Sequence, residues 1–277
     1  MTEKSGSLVD GKGRILSGFA RRLLECVREF TGPGANPSPD GTVATDPCVS
    51  ADALERLIRR EARRQRNLDA TIGQALQERP GVVSDHAVDP DWVACWSQCC
   101  QDVSDVRLQR LWAKMLGSEV ACPGTFRRRT LTVASQMDAQ EADLFRAFCT
   151  YVWVTPTGLL HLRTAQTDDY LERAGMPYAA LLDLRAAGLL ETSPGLGFDI
   201  RPEERLIIQY YDERYHVGPR EGLGPQRVEV AALTRAGAEL APIMDAGPDD
   251  GYKEVLLASW RSRGIVGTRI GVAGATA

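Results

Sequence analysis

"DPDWVACWSQCCQDVSDVRLQRLWAKMLGSEV", residues 89–120, predicts two helices in succession. Asp89 before Pro90 is an N-cap and first-turn pair: the carboxylate accepts from a free N–H at the helix start, and proline needs no N–H partner there. Ser104 is read as the N-cap of the second helix. That helix puts Leu108, Leu111, Trp112, Met115 and Leu116 on one stripe and leaves Arg110 and Lys114 outside it. Working towards the C-terminus, "CPGTF" is a turn and "RRRTLTVASQM" a further helix. Another helix, 139–153, is begun by Asp138 with Glu141 in capping-box position. The predicted result is a helical bundle over residues 51–138.

Upstream, "LIRREARRQRN" (57–67) lies in a helix predicted over 52–78. On a wheel of about 100° per residue, Leu54, Leu57, Ile58, Leu68, Ile72, Ala75 and Leu76 share one side. Arg56, Arg59, Arg60, Arg63, Arg64 and Arg66 share the other. Leu57, Leu68, Ile72 and Leu76 are therefore expected in the core and the six arginines outside. Glu61 and Gln65 fall on the apolar stripe, so both are expected to hydrogen-bond inward. With Arg127, Arg128 and Arg129, the arginines form the basic surface of this half. It reads as a solvated face, as a site for an acidic partner, or as a nucleic-acid contact.

Residues 1–50 are read as an amphipathic helix followed by a flexible linker. "GRILSGFARRLLECVREF" spaces Ile15, Phe19, Leu23, Cys26, Val27 and Phe30 helically, and "TGPGANPSPDGTVATDP" is dense in turn formers. The helix would dock on the body of the chain, on a second copy, or on a membrane surface. The chain has 277 residues, 43% hydrophobic and 25% charged, with a net charge of −4. Those values are ordinary for a globular protein. No stretch approaches the roughly 20 apolar residues of a transmembrane helix, and the start lacks a signal-peptide pattern. Seven cysteines without framework spacing suit reduced thiols. The expected location is the cytoplasm.

"RRQRNLDATIGQAL", the 89–120 segment with "ACPGTFRRRTL", and "DAQEADLFRAF" together resemble the core of an uncharacterised bacterial family, a domain of unknown function. The resemblance rests on Arg64, Gln65, Asn67, Ile72, Asp91, Trp92, Asp102, Ser104, Gln109, Leu111, Trp112, Ala113, Leu116, Glu119, Pro123, Gly124 and Leu131, about 100 residues in span. It implies no activity. Related-looking helical proteins occur among phage-defence genes, and the resemblance implies that context.

From residue 139 the order helix, helix, helix, strand, strand, ending in "LTRAGAEL", resembles the winged-helix domains of bacterial regulators. The expected fold class is thus mainly α with a small β component: a helical bundle and a winged-helix-like α+β domain (139–247), then a C-terminal helix and flexible tail (248–277). Residues 165–255 carry 17 acidic against nine basic residues. The expected recognition helix shows only Tyr178, Asp183 and Arg185, so this domain is expected to meet protein and not DNA.

No phosphate-binding loop, zinc-protease motif or nucleophile elbow is present. Cys95, Cys99 and Cys100, with Cys122 or His86, have a spacing that zinc would tolerate, but thiols on an apolar helix more often belong to a core. His161 and His216 read as structural. No cofactor and no metal are expected. The sequence therefore reads as a non-catalytic interaction or regulatory protein that takes a protein partner or a second copy. A nucleic-acid-binding regulator and an unrecognised catalytic effector stand as alternatives.

Overall fold

The computed structural model describes Arg22 and residues 51–78, 83–204 and 206–272. The expected N-terminal helix and linker lie outside these, apart from Arg22. The chain divides into two compact units, 1–135 and 136–277.

Among the described residues the first unit contains α1 (Ala51–Ala75), α2 (Pro90–Cys100), α3 (Val106–Ala121) and α4 (Arg128–Gln136). Its core is Leu68, Ile72, Trp92, Val93, Trp96, Leu111, Trp112, Met115, Leu116, Phe126 and Leu131. Two of its buried indoles find acceptors: Trp92 Nε1 donates to Phe126 O at 2.9 Å, and Trp96 Nε1 donates to Trp112 O at 3.1 Å. Asp89 caps α2 as expected, accepting from Asp91 N at 3.0 Å. The cap of α3 is Asp105, which accepts from Arg107 N at 2.8 Å, and not Ser104. Both residue types make good caps, and Ser104 is diverted to another bond.

α1 departs from its wheel. Leu68 and Ile72 are buried, but Leu57 is 46% and Ile58 59% exposed, and Leu76 is only half-buried. Glu61 and Gln65 are exposed rather than inward. Glu61 accepts from Arg60 and Arg64, and Gln65 Nε2 donates to Asp69 at 2.8 Å. Periodicity gives the direction of a stripe but not the length of the surface opposite it. Among the described residues the packing covers the C-terminal half of α1 and leaves residues 55–62 exposed.

The second unit is built on one sheet. It begins with α5 (Ala139–Cys149), whose capping box has both arms: Glu141 N donates to Asp138 at 2.8 Å and Asp138 N to Glu141 at 2.9 Å. Next come β1 (Trp153–Thr155), β2 (Gly158–Arg163), α6 (Ala165–Arg173), α7 (Tyr178–Ala186), β3 (Leu190–Glu191) and β4 (Gly197–Ile200). They are followed by β5 (Leu206–Tyr210), β6 (Glu213–Pro219), β7 (Gln226–Leu233), α8 (Arg235–Leu240), a 3-10 turn (Ala241–Ile243), α9 (Asp250–Ser262) and β8 (Ile265–Val272). All strand pairs are antiparallel, in the order β3-β7-β2-β1-β5-β6-β8, with β4 also on β7.

This sheet overturns the expected fold class in its winged-helix-like domain and its small β component, although helix remains the commoner element among the described residues. Eight strands form one sheet, whose middle is the β1–β2 hairpin. The helix expected over 139–153 ends at Cys149, and in "VWVTPTGLLHL" Gly158, at φ +134, turns the chain back so that Trp153 opposes Leu160. Residues 265–272, expected as tail, pair with β6 from Pro219–Ile265 to Glu213–Val272. The "LTRAG" segment is a helix start: Thr234 Oγ1 accepts from Gly237 N at 3.1 Å and donates to Gly188 O at 2.6 Å. A Cβ on Gly237 would stand 2.2 Å from Leu189 O, so glycine is required for α8 to approach the chain beside β3.

The two halves of α1 should respond differently to truncation. Leu68→Ala should cost about 2–5 kcal/mol through lost burial and a residual cavity, whereas Leu57→Ala should cost less than about 0.5 kcal/mol. Urea midpoints of the two variants check this, and similar losses would contradict the exposed half.

Candidate functional site

The loop 101–105 joins α2 to α3, and its polar groups are satisfied largely from α1. Asp102 accepts from Arg63 Nη2 at 3.0 Å, Arg64 Nε at 3.1 Å and Arg64 Nη2 at 2.8 Å. The bidentate fork of Arg64 and the nearby Arg63 hold the Asp102 carboxyl below the usual range. Asn67, buried one turn further along, donates to Gln101 O at 2.9 Å and to Ser104 Oγ at 3.2 Å. Gln109 closes the loop from α3 by donating to Val103 O at 3.0 Å.

The next turn, 122–126, is held in the same way. Glu119 is 2% exposed, and its carboxylate accepts from Gly124 N at 2.6 Å and Phe126 N at 2.9 Å. Gly124 takes φ +90, a left-handed conformation natural to glycine, within that turn. Asn67, Trp92, Asp102, Ser104, Trp112 and Glu119 are therefore framework residues: each either fills the core or ties a loop to a helix. Gln65 stays on the surface.

What remains for a partner is the N-terminal half of α1. Arg56, Arg59, Arg60, Arg63 and Arg66 are exposed, and Arg64 is half-buried. Arg59 pairs with Glu55 one turn back, Arg60 with Glu61 at 3.3 Å, and Arg63 and Arg64 with Asp102. Arg56 and Arg66 form no ion pair with a described residue. Leu57 and Ile58 are also exposed, on the other side of the helix from these charges. Arg127, Arg128 and Arg129 are exposed at the start of α4, with Arg128 3.6 Å from Asp91. The nine arginines are thus not one uniform charge: two are spent on Asp102, while Arg56 and Arg66 have no ion pair with a described residue.

The second unit holds a polar aromatic cluster that sequence reading treated as separate residues. His161 and Tyr252 are fully buried. His161 Nδ1 lies 3.1 Å from both Tyr151 O and the Tyr252 hydroxyl, and Tyr252 donates to Leu162 O at 3.3 Å. Asp249, the cap of α9, accepts from the Tyr170 hydroxyl at 2.9 Å, and its own N–H donates to Tyr210 Oη at 2.8 Å. Burial lowers the His161 pKa to about 4. With no exposure at either member of the His161–Tyr252 pair, the pair braces β2 against α9 and gives a substrate no approach. The meeting of residues 91 positions apart was not legible in the sequence.

A hollow of about 240 Å³ lies beside Cys149, Val154, Leu159, Tyr211, Pro242 and Asp245. Burial pushes the Cys149 thiol up to about 12, so it is protonated at neutral pH and is no nucleophile there. Cys95, Cys99, Cys100, Cys122 and Cys149 are free thiols, and among the described residues no three His, Cys, Asp or Glu side chains are grouped to hold a metal ion. No described helix is long and apolar enough to cross a membrane.

A family profile described as "Protein of unknown function (DUF2806)" matches residues 52–257. The chain belongs to this family. The match runs from α1 into α9 and crosses both units. No curated protein and no solved structure matches the chain.

Two outcomes follow from these bonds. Glu119→Ala leaves two N–H groups of the 122–126 turn without their acceptor and should cost on the order of 3 kcal/mol, while Glu119→Gln, which keeps one acceptor, should cost less. Equal unfolding midpoints for wild type and the alanine variant would contradict the assignment. His161 has a folded pKa of about 4, against about 6.5 when unfolded. As pH falls, the unfolded chain takes up the proton first. The stability from the neutral ring is whole above pH about 6.5 and is lost towards pH 4, roughly 3 kcal/mol in all. Denaturation across that range should be less steeply pH-dependent in His161→Leu than in wild type, and equal slopes would refute it.

Proposed function

We propose that the protein is a non-catalytic interaction protein, whose helical unit docks onto an acidic surface of a protein partner through the N-terminal half of α1. The observation that carries this reading is that the N-terminal half of α1 exposes an apolar side, Leu57 and Ile58, as well as a basic side, Arg56, Arg59, Arg60 and Arg66. A phosphate backbone asks only for cations and places no value on an uncovered leucine and isoleucine. A protein interface uses both, an apolar strip that loses water and adjoining charge that sets orientation and encounter rate. The acidic balance of residues 165–255 is a second surface for protein partners of the opposite charge. The proposed setting is the bacterial cytoplasm, which suits reduced thiols. Phage defence is the context that the resemblance to related helical proteins favours.

Nucleic acid is the second reading, favoured by Arg56 and Arg66, which have no ion pair with a described residue. Two variants of the full chain separate the readings. Replacing Arg56, Arg59, Arg60 and Arg66 by Gln weakens either kind of binding with little change in stability, because glutamine is nearly as good a helix former. Replacing Leu57 and Ile58 by Ser weakens only a protein interface. On the proposed reading, partners captured from nuclease-treated extract of the native cell are lost with either variant, and a labelled DNA duplex binds weakly to all forms. Tight, steeply salt-dependent duplex binding that the serine variant keeps would replace this reading with the nucleic-acid one.

A further inference from the structure

The β5–β6 hairpin turns through Tyr211 and Asp212, and Tyr211 takes φ 50. A positive φ at the first position of such a turn is normally left to glycine or asparagine, because a bulky side chain crowds the backbone there. Among the described residues only Tyr211 and Asp245 (φ 53) are non-glycine residues with positive φ, and both line the hollow of about 240 Å³. Aspartate tolerates that conformation, whereas tyrosine rarely adopts it. Backbone strain that the surroundings must hold in place concentrates where a side chain has to be aimed, at ligand clamps among other sites.

Tyr211 is held at three points. Its hydroxyl donates to Cys149 O at 3.3 Å, its ring meets Tyr210 edge-on at 5.0 Å, and its carbonyl accepts from Gln209 Nε2 at 2.6 Å. Burial raises the phenol pKa to about 12, so the hydroxyl stays a donor at neutral pH. The ring is thus a fixed wall of the hollow.

The remaining lining is aliphatic, Val152, Val154, Leu159, Ala241, Pro242 and Ala246, with the protonated Cys149 thiol. Val154, Pro242 and Asp245 are exposed, so the hollow opens to solvent. None of the buried side-chain nitrogens and oxygens that lack a hydrogen bond among the described residues belongs to this lining. A guest therefore gains by burying apolar surface against the ring and not by meeting an unsatisfied donor or acceptor. An apolar cavity of about 150 Å³ takes benzene, so this larger one suits a fused bicyclic ring. The exposed Asp245 carboxylate disfavours an anion.

We propose that this hollow is a binding site for a small, uncharged, bicyclic aromatic molecule seated against the Tyr211 ring. The site lies wholly within the second unit and is separate from the arginine helix.

Saturation-transfer NMR of the full chain with indole as the probe tests this. Indole should bind with a Kd of about 1 mM or tighter, and its anionic analogue indolecarboxylate should bind at least about tenfold more weakly. Tyr211→Gly removes the ring and suits the turn, and Ala246→Phe fills the hollow. Each should weaken indole binding by about tenfold or more, with the circular dichroism spectrum unchanged, and the second variant serves if the first folds poorly. Leu182→Ser, at an exposed residue of α7 outside the hollow, should leave binding intact. Indole held more weakly than expected, binding that both Tyr211→Gly and Ala246→Phe keep, or the anion held as tightly as indole would overturn the proposal.

Discussion

The contact of Asp102 with Arg63 and Arg64 fixes where the helical unit ends and where its free surface begins. A loop as short as 101–105 cannot satisfy its own carbonyls and amides. Donors arrive from α1 at three consecutive points: Arg63, Arg64 and, one turn on, Asn67. Asp105 is released to cap α3, and Ser104 turns inward to Asn67. Breaking one tie would leave several polar groups unmet at once, so the loop, the two helices it joins and the C-terminal half of α1 form one cooperative body.

Beyond Arg63 towards the N-terminus, residues 55–62 of α1 are exposed. A helix can extend from an already folded turn at small cost, since nucleation is the unfavourable step, and pairs such as Arg59–Glu55 add a few tenths of a kcal/mol each. The result is a helix held at one end, with arginines and two aliphatic residues at the other. The second unit puts its cost and gain elsewhere. Its interior is sheet and aromatic, braced by the His161–Tyr252 and Tyr170–Asp249 contacts, and its open feature is the hollow beside Tyr211.

Local signals were legible where the chemistry is local. Asp89–Pro90 and the Asp138–Glu141 box marked helix starts because each cap bonds within a few residues of itself. Ser104 and Asp105 show the limit: two adjacent capping residues compete, and the winner is decided by Asn67, 37 positions away from Ser104. The sheet was missed because its pairings are long-range. Leu160 meets Ala232 and Tyr215 meets Arg269, and no window of sequence contains both partners. At the candidate site, the basic face of α1 was legible as periodicity. Which arginines Asp102 would take, and how far the buried stripe would reach, depended on residues outside the helix.

Hydrogen exchange along α1 in the free full-length chain is the most direct test of a helix clamped at one end and bare at the other. The account predicts a step at Arg63–Arg64: amides from about 55 to 62 exchange close to the rate of a frayed helix, and those from Asn67 to Ala75 exchange only through global unfolding of the unit. Uniform, core-like protection from Leu54 to Ala75 would mean that the first half of α1 is already packed in the free protein, and would contradict the account.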